Sequence, residues 1–176
     1  MGTGLAAPFL AAAALLVVAG APKVLDPTTV LAALRSVGLP AARGPVRALA
    51  GAECAVGVAS PVAPGRVTAL LLAGTYAVFT AFVAVALRRG GVVASCGCFG
   101  KADTPPTASH LLVTALFAAV ALGVAAAPPA ASWWRVGPAG ALALAVAAAL
   151  VAFLAWQVLA VRPTTTPASV RSVRRG

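Results

Sequence analysis

Two of the chain's three cysteines, Cys96 and Cys98, stand one glycine apart in the segment ASCGCFGK, Ala94 to Lys101. A Cys-x-Cys pair can close a small, strained disulfide, and strain makes such a bond easier to reduce and exchange. Gly97 removes the Cβ that would crowd the ring, and Gly100 frees the backbone just after it. Arg88, Arg89 and Lys101 put positive charge on either side in sequence, which favours the attacking thiolate. The same soft thiolates suit Cu(I) or Zn, and His110, twelve residues after Cys98, would be the third donor of such a site. Zinc usually takes four ligands, often from paired cysteines, and no second pair exists here. A compact turn with no chemistry is the third reading. Two cysteines spaced this way in a loop favour thiol–disulfide exchange over both alternatives.

The remaining candidates lie inside an apolar run. A charged side chain at membrane depth costs about 2.5–3.5 kcal/mol on insertion scales, so Glu53 needs a partner or a cavity. Arg47, Lys23 and a thiol whose proton Glu53 accepts are the candidate partners; a purely structural, ion-paired or protonated Glu53 is the alternative. Cys54, beside it, is either a third redox thiol exchanging with the Cys96/Cys98 pair or a small buried apolar residue, and the second fits its surroundings better. Lys23 and Asp26 can pair with one another or close over Glu53. Tyr76, Thr75 and Thr80 offer hydrogen bonds between helices. The chain carries no Gly-rich phosphate loop, no Ser/His/Asp set and no HExxH, so any substrate meets it at a loop or within the membrane.

These residues are embedded in 176 residues that are 61% hydrophobic and only 9% charged, with a mean hydropathy of +1.01. Soluble domains carry about a quarter charged residues, so the fold class is an all-α, polytopic membrane helical bundle. A helix needs about 20 apolar residues to cross a bilayer, and five segments qualify: Leu5–Ala21, Ala48–Ala63, Val67–Leu87, Thr107–Ala127 and Gly137–Val161. They make a four-helix core plus a fifth transmembrane helix, within one membrane domain over 1–162. The second span is the weakest, because it is short, holds Glu53 and ends among Pro61 and Pro64. The first has no basic stretch before it, and proline follows the small-residue pair Gly20-Ala21, so it reads as a retained helix rather than a cleaved signal.

Asp26 can cap a short surface amphipathic helix over about 28–37, with Pro27 at its first position. Val30, Leu31, Leu34 and Val37 form its apolar face, and Gly38 and Pro40 end it. Residues 163–176 are polar, Pro/Thr-rich and basic, the composition of a disordered tail. The net charge of +10 places basic groups between the apolar runs, where they set topology and touch anionic headgroups rather than nucleic acid. Eleven Lys and Arg fall on one set of alternating loops and only Arg66 and Arg135 on the other. That bias predicts the N-terminus outside and the C-terminus in the cytoplasm, with Trp133 and Trp134 in an outer aromatic belt and Trp156 near the inner one. It also puts the Cys96/Cys98 loop on the cytoplasmic side, where disulfides are least expected.

Three pieces carry a family resemblance: GAPKVLDP after the first span, AECAVG within the second, and SCGCFG before the fourth. With them, the chain resembles the MauE family of bacterial methylamine-utilisation membrane proteins, which belong with the DoxX-like small helical membrane proteins. The resemblance covers roughly residues 1–127; the fifth span and basic tail extend beyond it, and Cys54 is not part of the pattern. It implies a multi-pass protein of the bacterial inner (plasma) membrane that supports disulfide formation or electron transfer. Its implied partner is a thioredoxin-like protein or a dehydrogenase subunit, as in maturation of the disulfide-rich small subunit of methylamine dehydrogenase. Carried over, it points to Cys96 and Cys98 as the redox pair and to Lys23 and Glu53 as family-type polar positions. No resident cofactor is implied, and a quinone is the less favoured electron acceptor. Two further functions stay open: a small metal or solute transporter that captures its cargo on the same thiols, and an assembly partner without redox chemistry. A reporter fused after Gly176 should read cytoplasmic, and a periplasmic signal there would overturn the orientation.

Overall fold

A computed structural model of the chain describes residues 4–36, 38–88, 107–129 and 133–161. The described residues form helices joined by turns, in the order α1 (Ala6–Leu25), α2 (Thr28–Ser36), α3 (Arg43–Val62), α4 (Arg66–Arg88), α5 (Ala108–Ala126) and α6 (Gly137–Trp156). A short 3-10 turn, Trp133–Val136, leads into α6, and a π-helical turn, Gln157–Val161, continues it. Helices 1, 4, 5 and 6 are long and apolar enough to cross a membrane, the last as Gly137–Leu159. The fold is thus an all-helical membrane bundle, as the composition implied. The expected basic tail, 163–176, lies outside the described residues.

Helix α1 is the axis of the bundle. It is the most enclosed of the four apolar spans, with Phe9, Ala11, Ala12 and Leu16 fully buried, and it packs against α3, α6 and α5. An N-terminal helix so placed is part of the core. Its register against α3 is antiparallel, because Gly20 lies against Ala50 and Cys54 while Ala13 and Val17 lie against Gly57. Helix α4 runs antiparallel to α5, with Thr80 bonded to Thr114 and Tyr76 stacked near Phe117. The Tyr76 hydroxyl also donates to the Ala12 carbonyl at 2.7 Å, tying α4 to α1. Tyr76 and Thr80 therefore join helices, whereas Thr75 bonds within its own helix to the Leu71 carbonyl.

Helix α3 is the span whose sequence was weakest, and it is not among the four apolar enough to be recognised by hydropathy. Its 20 residues nevertheless form one helix through Pro61, about 30 Å long at 1.5 Å per residue, lying along α1. Between lipid-solvated helices there is no hydrophobic driving force, so close backbone approach and hydrogen bonds must hold them. Gly57 supplies the approach: a Cβ there would sit 2.6 Å from Val17 Cγ2 and 2.8 Å from the Ala13 carbonyl oxygen.

The surface helix α2 forms as its sequence implied. Asp26 Oδ1 accepts the Thr28 N–H at 3.0 Å. Hydrogen bonds from Thr28, aided by Arg43 and Arg47, hold the Asp26 carboxyl below the usual carboxylate range. Its C-terminus is a Schellman turn, with Leu39 N–H to the Leu34 carbonyl, Gly38 N–H to the Arg35 carbonyl, and Gly38 at φ 74°. One feature of α2 differs from the expectation: Ala33, not only the larger apolar residues, is buried, seated with Phe82 and Ala86 of α4. The helix caps one end of the bundle. Trp133 turns inward to meet Phe9 edge-on at 5.2 Å.

The Gly57 contact is the most sensitive in the α1–α3 seam. Gly57→Ala should destabilise the folded protein by about 1–3 kcal/mol, the usual range for overpacking, read as a lower melting temperature in detergent. Gly51→Ala, on the same helix with nothing within 4 Å of the added Cβ, should leave it unchanged or raise it slightly, since alanine is the better helix former.

Candidate functional site

The seam that Gly57 closes also brings two charges together inside the bundle. Lys23, near the end of α1, donates from Nζ to Glu53 Oε2 on α3 at 2.9 Å. Both are buried, at 6% and 3% exposure. Of the candidate partners for Glu53, the structure selects Lys23. Arg47 instead donates to the Leu25 carbonyl at 3.0 Å, pinning the end of α1, and Asp26 is occupied with capping α2. Gly20 makes the meeting sterically possible, since a Cβ at that position would lie 2.8 Å from Cys54 Sγ and 3.1 Å from the Ala50 carbonyl oxygen. The Lys23 ammonium also lies over the Phe79 ring of α4, 4.7 Å from its centroid. Phe79 is the residue of this site that sequence reading missed. A phenyl ring on an apolar helix gives no signal until a cation is placed above it.

The pair lines a partly open cavity of about 110 Å³ between α1, α2, α3 and α4. Its walls are apolar, with Val30 and Leu34 from α2, Leu49 from α3, and Phe79 and Phe82 from α4 among them. A largely apolar pocket with a few convergent polar groups is the usual form of a small-molecule site.

Cys54 lies next to Glu53 in sequence but faces the α1 backbone, its Sγ 4.0 Å from the Val17 carbonyl oxygen, and it packs against Gly20. His110 opens α5 and is also buried. Its Nδ1 is 2.8 Å from the Thr107 hydroxyl, and Leu159, beyond α6, lines the same small cavity as His110. The Thr114 hydroxyl donates to the His110 carbonyl at 2.8 Å. His110 is therefore built into the joint between α5 and α6. Among the described residues, no three His, Cys, Asp or Glu side chains gather to hold a metal ion. Cys96 and Cys98 lie outside the described residues, so the structure neither joins them to His110 nor separates them from it.

The described ends of that segment are nonetheless placed. Arg88 closes α4 and Thr107 precedes α5, at the end of the bundle where α2 packs on Ala86. Lys23 of α1 and His110 of α5 belong to this same end, so the buried charges and the flanks of the Cys-Gly-Cys segment share one side of the molecule.

The family described as "Methylamine utilisation protein MauE" matches residues 2–128. The chain belongs to the MauE family. The match takes in α1 to α5 together with the Cys96–Cys98 segment, and α6 lies beyond it. As a MauE-family member with four long apolar helices, the chain is a multi-pass membrane protein of the methylamine-utilisation type. No curated protein and no solved structure matches it. GAPKVLDP and AECAVG, the two pieces of the MauE resemblance that the structure describes, carry Lys23 and Glu53, the two halves of the buried pair.

Removing one partner of a buried ion pair leaves an uncompensated charge and typically costs about 3–5 kcal/mol, whereas replacing both with apolar groups is often close to neutral. Lys23→Met alone should lower the melting temperature of the purified protein markedly, and Lys23→Met/Glu53→Leu should recover most of the loss. Equal stability of the single variant and the unmodified protein would show that the pair is not coupled.

Proposed function

We propose that the chain is a thiol–disulfide component of the bacterial plasma membrane, with Cys96 and Cys98 as the exchanging pair. One thiolate attacks a partner disulfide and the other resolves the mixed disulfide, so the chain's dithiol becomes a disulfide as the partner's is reduced; the reverse direction forms a disulfide in the partner. The partner fitting this role is a thioredoxin-like protein or the disulfide-rich dehydrogenase subunit for which the family's namesake serves maturation.

The observation that carries this reading is the Cys-Gly-Cys spacing within a family-matched segment. Supporting it, the helix ends that flank the segment stand at the same end of the bundle as the buried Lys23–Glu53 pair. Glu53 is the proposed proton acceptor. Its carboxylate is kept at membrane depth by Lys23, and accepting a thiol proton would release that lysine from the pair. Cys54 is assigned no relay role, because its sulfur faces the Val17 carbonyl in the α1–α3 seam. The loop-charge bias supports an N-terminus outside and a C-terminus in the cytoplasm. In that orientation the Cys pair draws on a cytoplasmic electron donor or is reached from both sides.

Maleimide-PEG labelling of membranes should shift two additional thiols only after reduction, and the shift should vanish in Cys96→Ser/Cys98→Ser. Finding both thiols free under every growth condition would sink the redox reading. Metal retained by the purified protein and lost in the same double variant would instead establish the transport alternative. A double variant that is functionally silent would favour the assembly role.

A further inference from the structure

The cavity above the Lys23–Glu53 pair is not used by the exchange chemistry. Its lining combines features that suit one kind of molecule. Lys23 has three N–H donors, and one is taken by Glu53 Oε2. That contact leaves Nζ two further N–H groups. The ammonium is held in place by the carboxylate and by the Phe79 ring, so a spare donor is presented without loss of further side-chain freedom. Around it stand Phe79 and Phe82 and a set of aliphatic side chains.

The cavity is open on one side. Leu49 of α3 and Val78 of α4 line it and are themselves 58% and 62% exposed. Helices α3 and α4 pack far less closely on each other than α3 does on α1 or α4 on α5. The mouth therefore opens between α3 and α4, beneath α2. A ligand would enter from the bilayer, and it must be lipid-soluble.

The volume, about 110 Å³ with an open mouth, is below the roughly 150 Å³ of a closed apolar cavity that takes a benzene ring. A flat six-membered ring would therefore sit partly in the open mouth, with its tail left in the bilayer. An oxygen acceptor on the ring would meet the Lys23 ammonium, a charge-assisted hydrogen bond that is strengthened in an apolar site.

We propose that this cavity binds a quinone, with a ring carbonyl oxygen accepting a hydrogen bond from Lys23 Nζ, the ring beside Phe79 and Phe82, and the tail leaving between α3 and α4. Occupancy of the cavity does not depend on the cysteines, but the role given to the quinone rests on the thiol–disulfide reading above. Oxidation of a dithiol to a disulfide breaks two S–H bonds, forms one S–S bond, and releases two electrons and two protons. A quinone reduced to its quinol takes up both, so the exchange balances with no other reactant. A fatty acyl lipid shares the apolar body and oxygen acceptor, and the test separates the two.

Binding of tritiated decylubiquinone to the purified full chain in detergent micelles would be measured against empty micelles. Saturable binding of one quinone per chain is expected. Leu49→Trp, at the exposed mouth, and Lys23→Met/Glu53→Leu, which removes the donor, should each weaken it by about tenfold or more, the loss expected for a hydrogen bond to a charged group. Leu34→Trp, which fills the cavity from α2, provides a second test of the mouth should Leu49→Trp fail to fold. Binding no greater than to empty micelles, or affinity unchanged in the folded variants, overturns the proposal. Displacement by decanoate at equal concentration would assign the cavity to acyl lipid and also overturn it. Cys96→Ser/Cys98→Ser should bind the quinone as the unmodified protein does. Free thiols in the labelling experiment together with intact binding would count against the redox reading and leave the cavity's ligand standing.

Discussion

In a bundle surrounded by hydrocarbon, Lys23 and Glu53 can be accommodated only together. Each alone would be an uncompensated charge at membrane depth, and the 2.9 Å contact between them obliges the end of α1 to lie against the middle of α3. Much of the surrounding architecture follows from that requirement. The backbones must come close enough for the side chains to meet, which Gly20 and Gly57 allow. Arg47 then reaches the Leu25 carbonyl, so the chain leaving α1 is held where Asp26 can start α2.

The rest of the bundle is joined by a small number of directed contacts rather than by a driving force for burial. Many large apolar side chains face outward, as lipid permits, including Leu70, Leu116, Leu142 and Leu150. What links the helices is the Tyr76 hydroxyl on the Ala12 carbonyl, the Thr80–Thr114 bond, and the Lys23–Glu53 pair. Each satisfies a polar group that would otherwise sit unpaired in hydrocarbon. Among the described residues no buried side-chain nitrogen or oxygen is left without a partner, which is what a low-dielectric surrounding demands.

These polar groups are not spread evenly. Lys23, Asp26, Arg47, Arg88 and His110 gather toward one end of the bundle, capped by α2, while Ala63 to Thr68 make a tight, uncharged hairpin apart from Arg66 at the other. The uneven distribution continues into the interior as a buried charge pair, a cation over an aromatic ring and a largely apolar cavity beneath α2.

The sequence by itself determined the class of fold and the family, and it marked the ends of α2. Long apolar runs leave a chain few options in lipid, and caps such as Asp26 and Gly38 act within a few residues of themselves. It also singled out Glu53 as requiring a partner, because the penalty for burying a carboxylate is intrinsic to that residue type. Only the tertiary structure decided that the partner was Lys23 rather than Arg47 or a thiol, that Phe79 lay beneath the ammonium, and that Cys54 faced a carbonyl in a helix seam. It likewise decided that α3, too polar for hydropathy to recognise as a span, lies full length along α1. These outcomes depend on which faces of separate helices meet. That geometry is set by glycine contacts and hydrogen bonds between residues thirty or more positions apart, and no local pattern encodes it.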